Sequence, residues 1–138
     1  VLKAQRSGIE KCRVGLKFQA PHDRCVQVIA QGLMQLGIIE KHADVYDYYM
    51  HGTSHYMGLD VHDAGLHAAF KTDEVVTVEP GIYIPEGSPC DKKWWGIGIR
   101  IEDDIRITYS GPEILSSGSP VEVDEIEKLM QESPTMVK

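Results

Sequence analysis

The chain has 138 residues, 42% of them hydrophobic and 25% charged, enough for one domain that buries its own core and too few for two at comfortable size. Fourteen Lys and Arg against twenty-one Asp and Glu leave a formal charge of -7, which opposes a general attraction to phosphate backbones. With no Lys/Arg run interleaved with aromatics, no apolar stretch of membrane-spanning length and no amino-terminal secretory pattern, neither nucleic acid nor a membrane is an expected partner.

VLKAQRSGIEKCRVG spreads Leu2, Ala4, Ile9 and Cys12 over a helical period before meeting Gly15, and so reads as the last turns of a helix. PHDRCVQVIAQGLMQLG is the clearest helix. Cys25, Val26, Ile29, Ala30, Leu33 and Met34 form its apolar stripe, Pro21 suits its first turn and Gly37 its end. His22 at its front reads as a solvated turn residue, and Met34 as core. Residues 39–68 lose the period, and HGTSHYMGLDVHD is expected as a shaped loop, with Tyr46, Tyr48 and Tyr49 packing or lining a cleft.

VVTVEPGIYI reads as a strand with Val75, Thr77 and Glu79 on one face, interrupted at Pro80-Gly81 just where a carboxylate could meet a ligand. A connection over residues 85–96 carries Trp94 and Trp95, either able to cover the sheet. IGIRIEDDIRIT alternates from Ile97 to Thr108 and is expected as a single strand with Arg100, Glu102 and Asp104 on one face. A last helix is expected with Ser119 as its cap and Val123, Ile126, Leu129 and Met130 as a buried stripe, followed by a fraying polar tail, QESPTMVK. The order helix, helix, polar loop, strand, connection, strand, helix describes one α/β or α+β domain.

The chemistry-bearing residues are His51, His55 and His62, followed at a distance by Glu79 and Glu102. Imidazole and carboxylate suit Mn, Fe, Co or Zn, so His55, Glu79 and Glu102 can supply half or more of a metal shell while other histidines handle protons. Spacing alone fits a polar surface cluster equally well. HGTSH lacks the glutamate of the HExxH helix, and Ser54 lacks the G-x-S-x-G elbow of a serine hydrolase. His42 and His67 stand outside any constellation, and Asp63 suits fixing a turn or orienting His62. Arg100, two residues from Glu102, can hold and charge-balance that carboxylate. Cys12, Cys25 and Cys90 have no metal-ligand spacing, no evident base and one thiol too many for disulfides, which favours a reducing, cytoplasmic setting.

HGTSHYMGLDVHD, TVEPGIYIP and GIGIRIEDDIRIT, in that order, resemble the carboxyl-terminal part of the catalytic domain of the Xaa-Pro aminopeptidase (aminopeptidase P) family. That family belongs with proline dipeptidase, methionine aminopeptidase and creatinase among the pita-bread metallopeptidases. The likeness runs from AQRSGIEKC through GLMQLGIIE to PVEVDEIEKL, with Val14 departing where the family commonly has Pro before Gly15. It implies an antiparallel-rich sheet covered by helices, of which residues 1–138 form the carboxyl-terminal portion. It further implies His55 as the imidazole ligand, Glu79 as a terminal carboxylate and Glu102 as the bridge between two divalent ions, Mn first, with Co, Zn or Fe admitted. His51 and His62 would assist substrate binding and proton transfer, Arg100 would support the bridging carboxylate, and Tyr56 or a tryptophan would contact the proline ring.

Two further aspartate ligands belong, by resemblance, ahead of the first helix; Asp23, Asp44 and Asp47 have the wrong context for them. The expectation is therefore a fragment, inactive alone, of an enzyme that uses a metal-bridging water to hydrolyse the first bond of peptides with proline second. A homo-oligomer is compatible with the resemblance. A proline dipeptidase and a non-catalytic binding or assembly module are the alternatives.

Overall fold

The computed structural model describes residues 1–132. Two helices, α1 (Leu2–Ile9) and α2 (Ala20–Gln35), pack against each other. The buried face of α2 is Cys25, Val26, Ile29, Ala30 and Leu33, the three-and-four spacing of one helical stripe. Its end is built by the chain: the Gly37 N–H bonds to the Met34 carbonyl and the Ile38 N–H to the Leu33 carbonyl, with Gly37 at φ 69°. This double closure satisfies carbonyls that the last turn would otherwise leave open, and it seats Ile38 beside Leu33 in the core. Met34, expected in that core, is 44% exposed, because it lies on the rim of the stripe and nothing among the described residues covers it.

Helix α1 is shorter than the period suggested. It stops at Ile9 rather than near Gly15, because Cys12 is drawn fully into the core and the Gly15 N–H bonds to the Phe70 carbonyl. Gly8 lets α1 approach α2 closely: a Cβ there would lie 2.6 Å from Cys25 Sγ.

The five strands are β1 (Val75–Val78), β2 (Gly81–Ile84), β3 (Ile97–Arg100), β4 (Asp103–Thr108) and β5 (Gly111–Ile114). All pairings are antiparallel, in a three-stranded sheet of order β1-β4-β5 and a two-stranded sheet β2-β3. The expected single strand from Ile97 to Thr108 is thus two strands, broken at Ile101-Glu102 opposite the break at Glu79-Pro80. Pro80 has no N–H to give to a ladder, so both strands leave one sheet and enter the other at the same level. Strand β5 was not anticipated; GPEI carries little strand propensity, and its place comes from pairing with β4.

Helix α3 (Val123–Gln131) begins from Glu122 rather than Ser119, and the expected buried stripe is exposed: Val123, Ile126, Leu129 and Met130 all face solvent. An amphipathic pattern reports what a helix could bury, and the described residues offer this one no partner surface. Residues 133–138 of the expected fraying tail lie outside the described residues.

Two apolar clusters result. One joins α1, α2, Ile38, Ile39, Val45, Tyr48, Tyr49 and Ile84, with Trp94 and Trp95 against its edge. The other gathers Ile9, Cys12, Phe18, Tyr56, Phe70, Val76, Val78, Ile105 and Ile107. Cys12 and Cys25 are unpaired and buried, and burial raises both thiols to about 12, which keeps them protonated and inert. Among the described residues no helix is long and apolar enough to cross a membrane.

Candidate metal centre

The hairpin register decides where the carboxylates meet. Val78 lies opposite Asp103 and Gly81 opposite Arg100, and carried through the break that register sets Glu79 opposite Glu102. Two like charges face to face destabilise a sheet. Arg100 sits between them, its Nη1 3.5 Å from Glu79 Oε2 and its Nη2 3.2 Å from Glu102 Oε2.

The loop before β1 adds the imidazole. The His55 N–H donates to Thr77 Oγ1 at 3.1 Å, and the Thr77 hydroxyl donates to Glu79 Oε1 at 3.1 Å. Thr77 is fully buried, so a single side chain fixes the loop and the carboxylate together. The His55 Nδ1 lies 3.1 Å from the Tyr56 carbonyl, which can only accept; Nδ1 therefore carries the proton. The other ring nitrogen, Nε2, lies 3.2 Å from Glu79 Oε1: carrying a proton it donates to the carboxylate, and without one the two acceptors can share a cation. Donor atoms of His55, Glu79 and Glu102 all lie within 4.8 Å of one another, and this mixed nitrogen and oxygen set suits a divalent transition metal.

The remaining histidines surround this group. His62 meets His55 edge to face, with ring centroids 4.3 Å apart. Its loop is tied by Asp63, which accepts from the N–H groups of Leu59 and Ala64, as the turn-fixing reading of Asp63 requires. His51 donates from Nδ1 to the Gly52 carbonyl at 2.7 Å, and its Nε2 lies 3.0 Å from the Tyr83 hydroxyl. A cleft of about 360 Å³ is lined by His51, Ser54, His55, His62, Glu79, Tyr83 and Arg100. Ser54 Oγ is buried there with no hydrogen-bond partner among the described residues.

Tyr56 stands elsewhere. It is buried in the second apolar cluster, stacked on Phe18 at 4.9 Å, and the tyrosine that reaches the cleft is Tyr83. His42 is exposed, and His67 packs its edge on Phe18. Sequence reasoning passed over Thr77, Thr53, Tyr83 and His22. Thr77 had a signal, since it is two residues before Glu79 on one strand face; His22 had none. Rather than a solvated turn residue, His22 is half-buried, 2.9 Å from Thr53 Oγ1, and burial lowers its pKa, with the His51 charge acting the same way against the opposing pull of Asp23.

The model of metallopeptidase family M24 matches residues 1–109. Among curated proteins, the Xaa-Pro aminopeptidase of Haemophilus influenzae is 39% identical, covering 94% of this chain and 33% of its own length. The mitochondrial intermediate cleaving peptidase 55 of Arabidopsis thaliana is 34% identical over 94% of the chain and 27% of its own. Among solved structures, Pseudomonas aeruginosa aminopeptidase PepP superposes with a TM-score of 0.89 at 38% identity, covering 94% of this chain and 33% of that one. Escherichia coli aminopeptidase P with the inhibitor Pro-Leu gives 0.88 at 35%, covering 94% and 32%. The chain thus spans about a third of the length of the curated Xaa-Pro aminopeptidase of H. influenzae.

Proposed function

The chain belongs to metallopeptidase family M24 and has its pita-bread α/β architecture, and from that premise we propose that the complete protein is a metal-dependent aminopeptidase that removes the first residue of peptides with proline second. The observation that carries the reading is the convergence of His55, Glu79 and Glu102 within 4.8 Å at the shared break of two sheets, beside Arg100 and two further histidines. Names among the relatives favour the proline requirement, since several are Xaa-Pro aminopeptidases.

His55 and Glu79 would each hold one divalent ion and Glu102 would span two. Mn is the first choice; Co, Zn and Fe fit the same donors, and one solved relative is described as Zn substituted. When bound, the ions would supply a nucleophilic water at neutral pH and polarise the scissile carbonyl. Arg100 reaches both carboxylates and sets a positive charge between them. His62, on the cleft wall, would hydrogen-bond the oxygen on which negative charge develops. His51 keeps one proton on Nδ1 through the Gly52 carbonyl, and its Nε2 exchanges a hydrogen bond with Tyr83. A proton reaching Nε2 reverses the direction of that bond, so the pair can hold a proton beside the departing proline nitrogen. Tyr83 and His51 both line the cleft in which the proline ring would sit.

Residues 1–138 taken alone are proposed to lack this activity, as the carboxyl-terminal portion of the catalytic domain, with further ligands contributed from outside them. The test is release of the first residue from matched tripeptides with proline or alanine second, by the full-length protein titrated with Mn²⁺. Cleavage confined to the proline peptide is expected. Equal cleavage of both, or cleavage of Xaa-Pro dipeptides alone, overturns the assignment. Robust turnover by residues 1–138 overturns the claim about the segment.

A further inference from the structure

Thr53 is almost completely buried, and its hydroxyl meets two side chains, His22 Nδ1 at 2.9 Å and the Tyr49 hydroxyl. A hydroxyl has one proton to give and two lone pairs to accept with, so Thr53 donates at most one of these bonds and at least one of His22 and Tyr49 donates to it. Burial raises the Tyr49 pKa, which keeps its proton in place, and the ring of Tyr49 is fully buried. The main chain of Thr53 does something different: its carbonyl accepts from the Glu79 N–H at 2.8 Å. One residue therefore joins the first turn of α2, through His22, to the backbone of a carboxylate at the candidate metal centre. Tyr49 extends the connection sideways, meeting His51 edge to face at 5.2 Å. The three groups stand at a second cleft of about 380 Å³, which shares His51, Gly52 and Ser54 with the first.

We propose that His22, Thr53 and Tyr49 form a positioning relay that locks the His51–His55 segment against the end of β1, and that the placement of His51 and Glu79 depends on it. None of the three side chains reaches a donor atom of the cluster: His22 and Tyr49 act through Thr53, and Thr53 acts through the Glu79 backbone. The physical reason to expect an effect is that an irregular segment has no ladder of its own, so a small number of buried hydrogen bonds holds its course. The kinetic part of the following test rests on the function proposed above, whereas the metal-affinity and tautomer parts do not.

The experiment uses the full-length protein with Thr53→Val, His22→Ala and Tyr49→Phe, each of which deletes one partner, and Thr53→Ser and His22→Asn, which return a hydrogen-bonding atom near Oγ1 and Nδ1. Mn²⁺ affinity by titration calorimetry is expected to weaken about tenfold in the deleting variants and to return within about threefold in the restoring ones. KM for a Xaa-Pro peptide should rise by a similar factor, with kcat changing less. The ¹⁵N imidazole spectrum should show His51 losing its single Nδ1-protonated tautomer in Thr53→Val. The double variant Thr53→Val, His22→Ala should be no worse than the poorer single variant. Unchanged Mn²⁺ affinity and His51 tautomer in folded Thr53→Val overturns the relay, as does failure of Thr53→Ser to restore them. If Thr53→Val does not fold, Tyr49→Phe decides on the same two readouts, since it keeps the buried ring. Mn²⁺ binding without peptide hydrolysis by the wild type defeats the functional reading alone, and the affinity and tautomer results still settle the relay.

Discussion

At the scale of single residues two buried threonines brace the candidate metal centre. Thr77 ties the His55 backbone to the Glu79 carboxylate, and Thr53 ties the Glu79 backbone to helix α2. The acids themselves stay partly solvated, with the Glu79 side chain 14% and the Glu102 side chain 35% exposed. Glu102→Gln in the full-length protein keeps the shape and removes the charge. Metal stoichiometry by elemental analysis should fall below two per chain, with affinity lower by more than about 100-fold, beyond the usual cost of losing an outer partner. Two tightly bound ions in that variant would count against the bridging role. His22 gives a pH prediction of definite sign. Its pKa in the folded protein is below the ordinary 6.5, chiefly because burial disfavours the charged ring, with nearby His51 adding to this and Asp23 opposing it. Between the lowered value and 6.5 the unfolded chain binds more protons, so folding stability falls as pH drops through that window and is fully retained above it. Denaturation midpoints at pH 5 and pH 7.5 should differ more in wild type than in His22→Gln. These residues also mark how the sequence was legible. His55, Glu79 and Glu102 could be picked out by donor chemistry and motif, while His22 and Thr53 are 31 positions apart and no local pattern links them.

Elements show the same division for a different reason. Helix α2 and strand β1 were readable because capping residues and apolar periods are local. The length of α1, the break between β3 and β4 and the existence of β5 were not, since each is set by contacts with chain far away. Gly8 is an example on α1. Alanine there would gain about 1 kcal/mol of helix propensity, yet its methyl would lie 2.6 Å from Cys25 Sγ and 3.3 Å from Val78 Cγ1. Overpacking costs about 1–3 kcal/mol, so Gly8→Ala should lower stability. Gly32 on α2 has nothing within 4 Å of its missing Cβ, and Gly32→Ala should raise stability by roughly 0.5–1 kcal/mol. Urea denaturation of both variants measures the contrast; the same sign for both would refute it. Helix α1 also reaches the sheet through a buried polar contact, Gln5 donating to Asp103 at 2.6 Å while Ser116 donates to the other carboxylate oxygen. Asp103→Ala would strand the buried Gln5 amide and should cost about 1–3 kcal/mol by the same measurement. In IGIRIEDDIRIT Asp103 falls in step with the isoleucines, a position the sequence reading left unused, and the packing supplied its partners.

On the scale of the whole molecule, the candidate metal centre lies where the chain passes between sheets. Glu79 follows β1 of the three-stranded sheet and precedes β2 of the other, and Glu102 makes the return crossing between β3 and β4. A cation held by both therefore fastens the two sheets, and with His55 it also fastens the loop. Metal should stabilise the fold by mass action, by about 2.7 kcal/mol at a free concentration 100 times its Kd. Thermal melts of the full-length protein should accordingly shift down on chelation and recover with added Mn²⁺; a melt indifferent to both would show that the ions do not bind the folded state preferentially. By itself the sequence determined the family resemblance, the donor types, the two principal helices and the strand character around Glu79 and Glu102, because motif order, hydrophobic period and ligand chemistry are written in neighbouring residues. Tertiary structure alone decided that Glu79 faces Glu102, that His55 offers Nε2 to them, and that His22 and Thr53 stand behind the segment. Those are facts of register and of hydrogen bonds between distant residues, which a linear pattern does not encode.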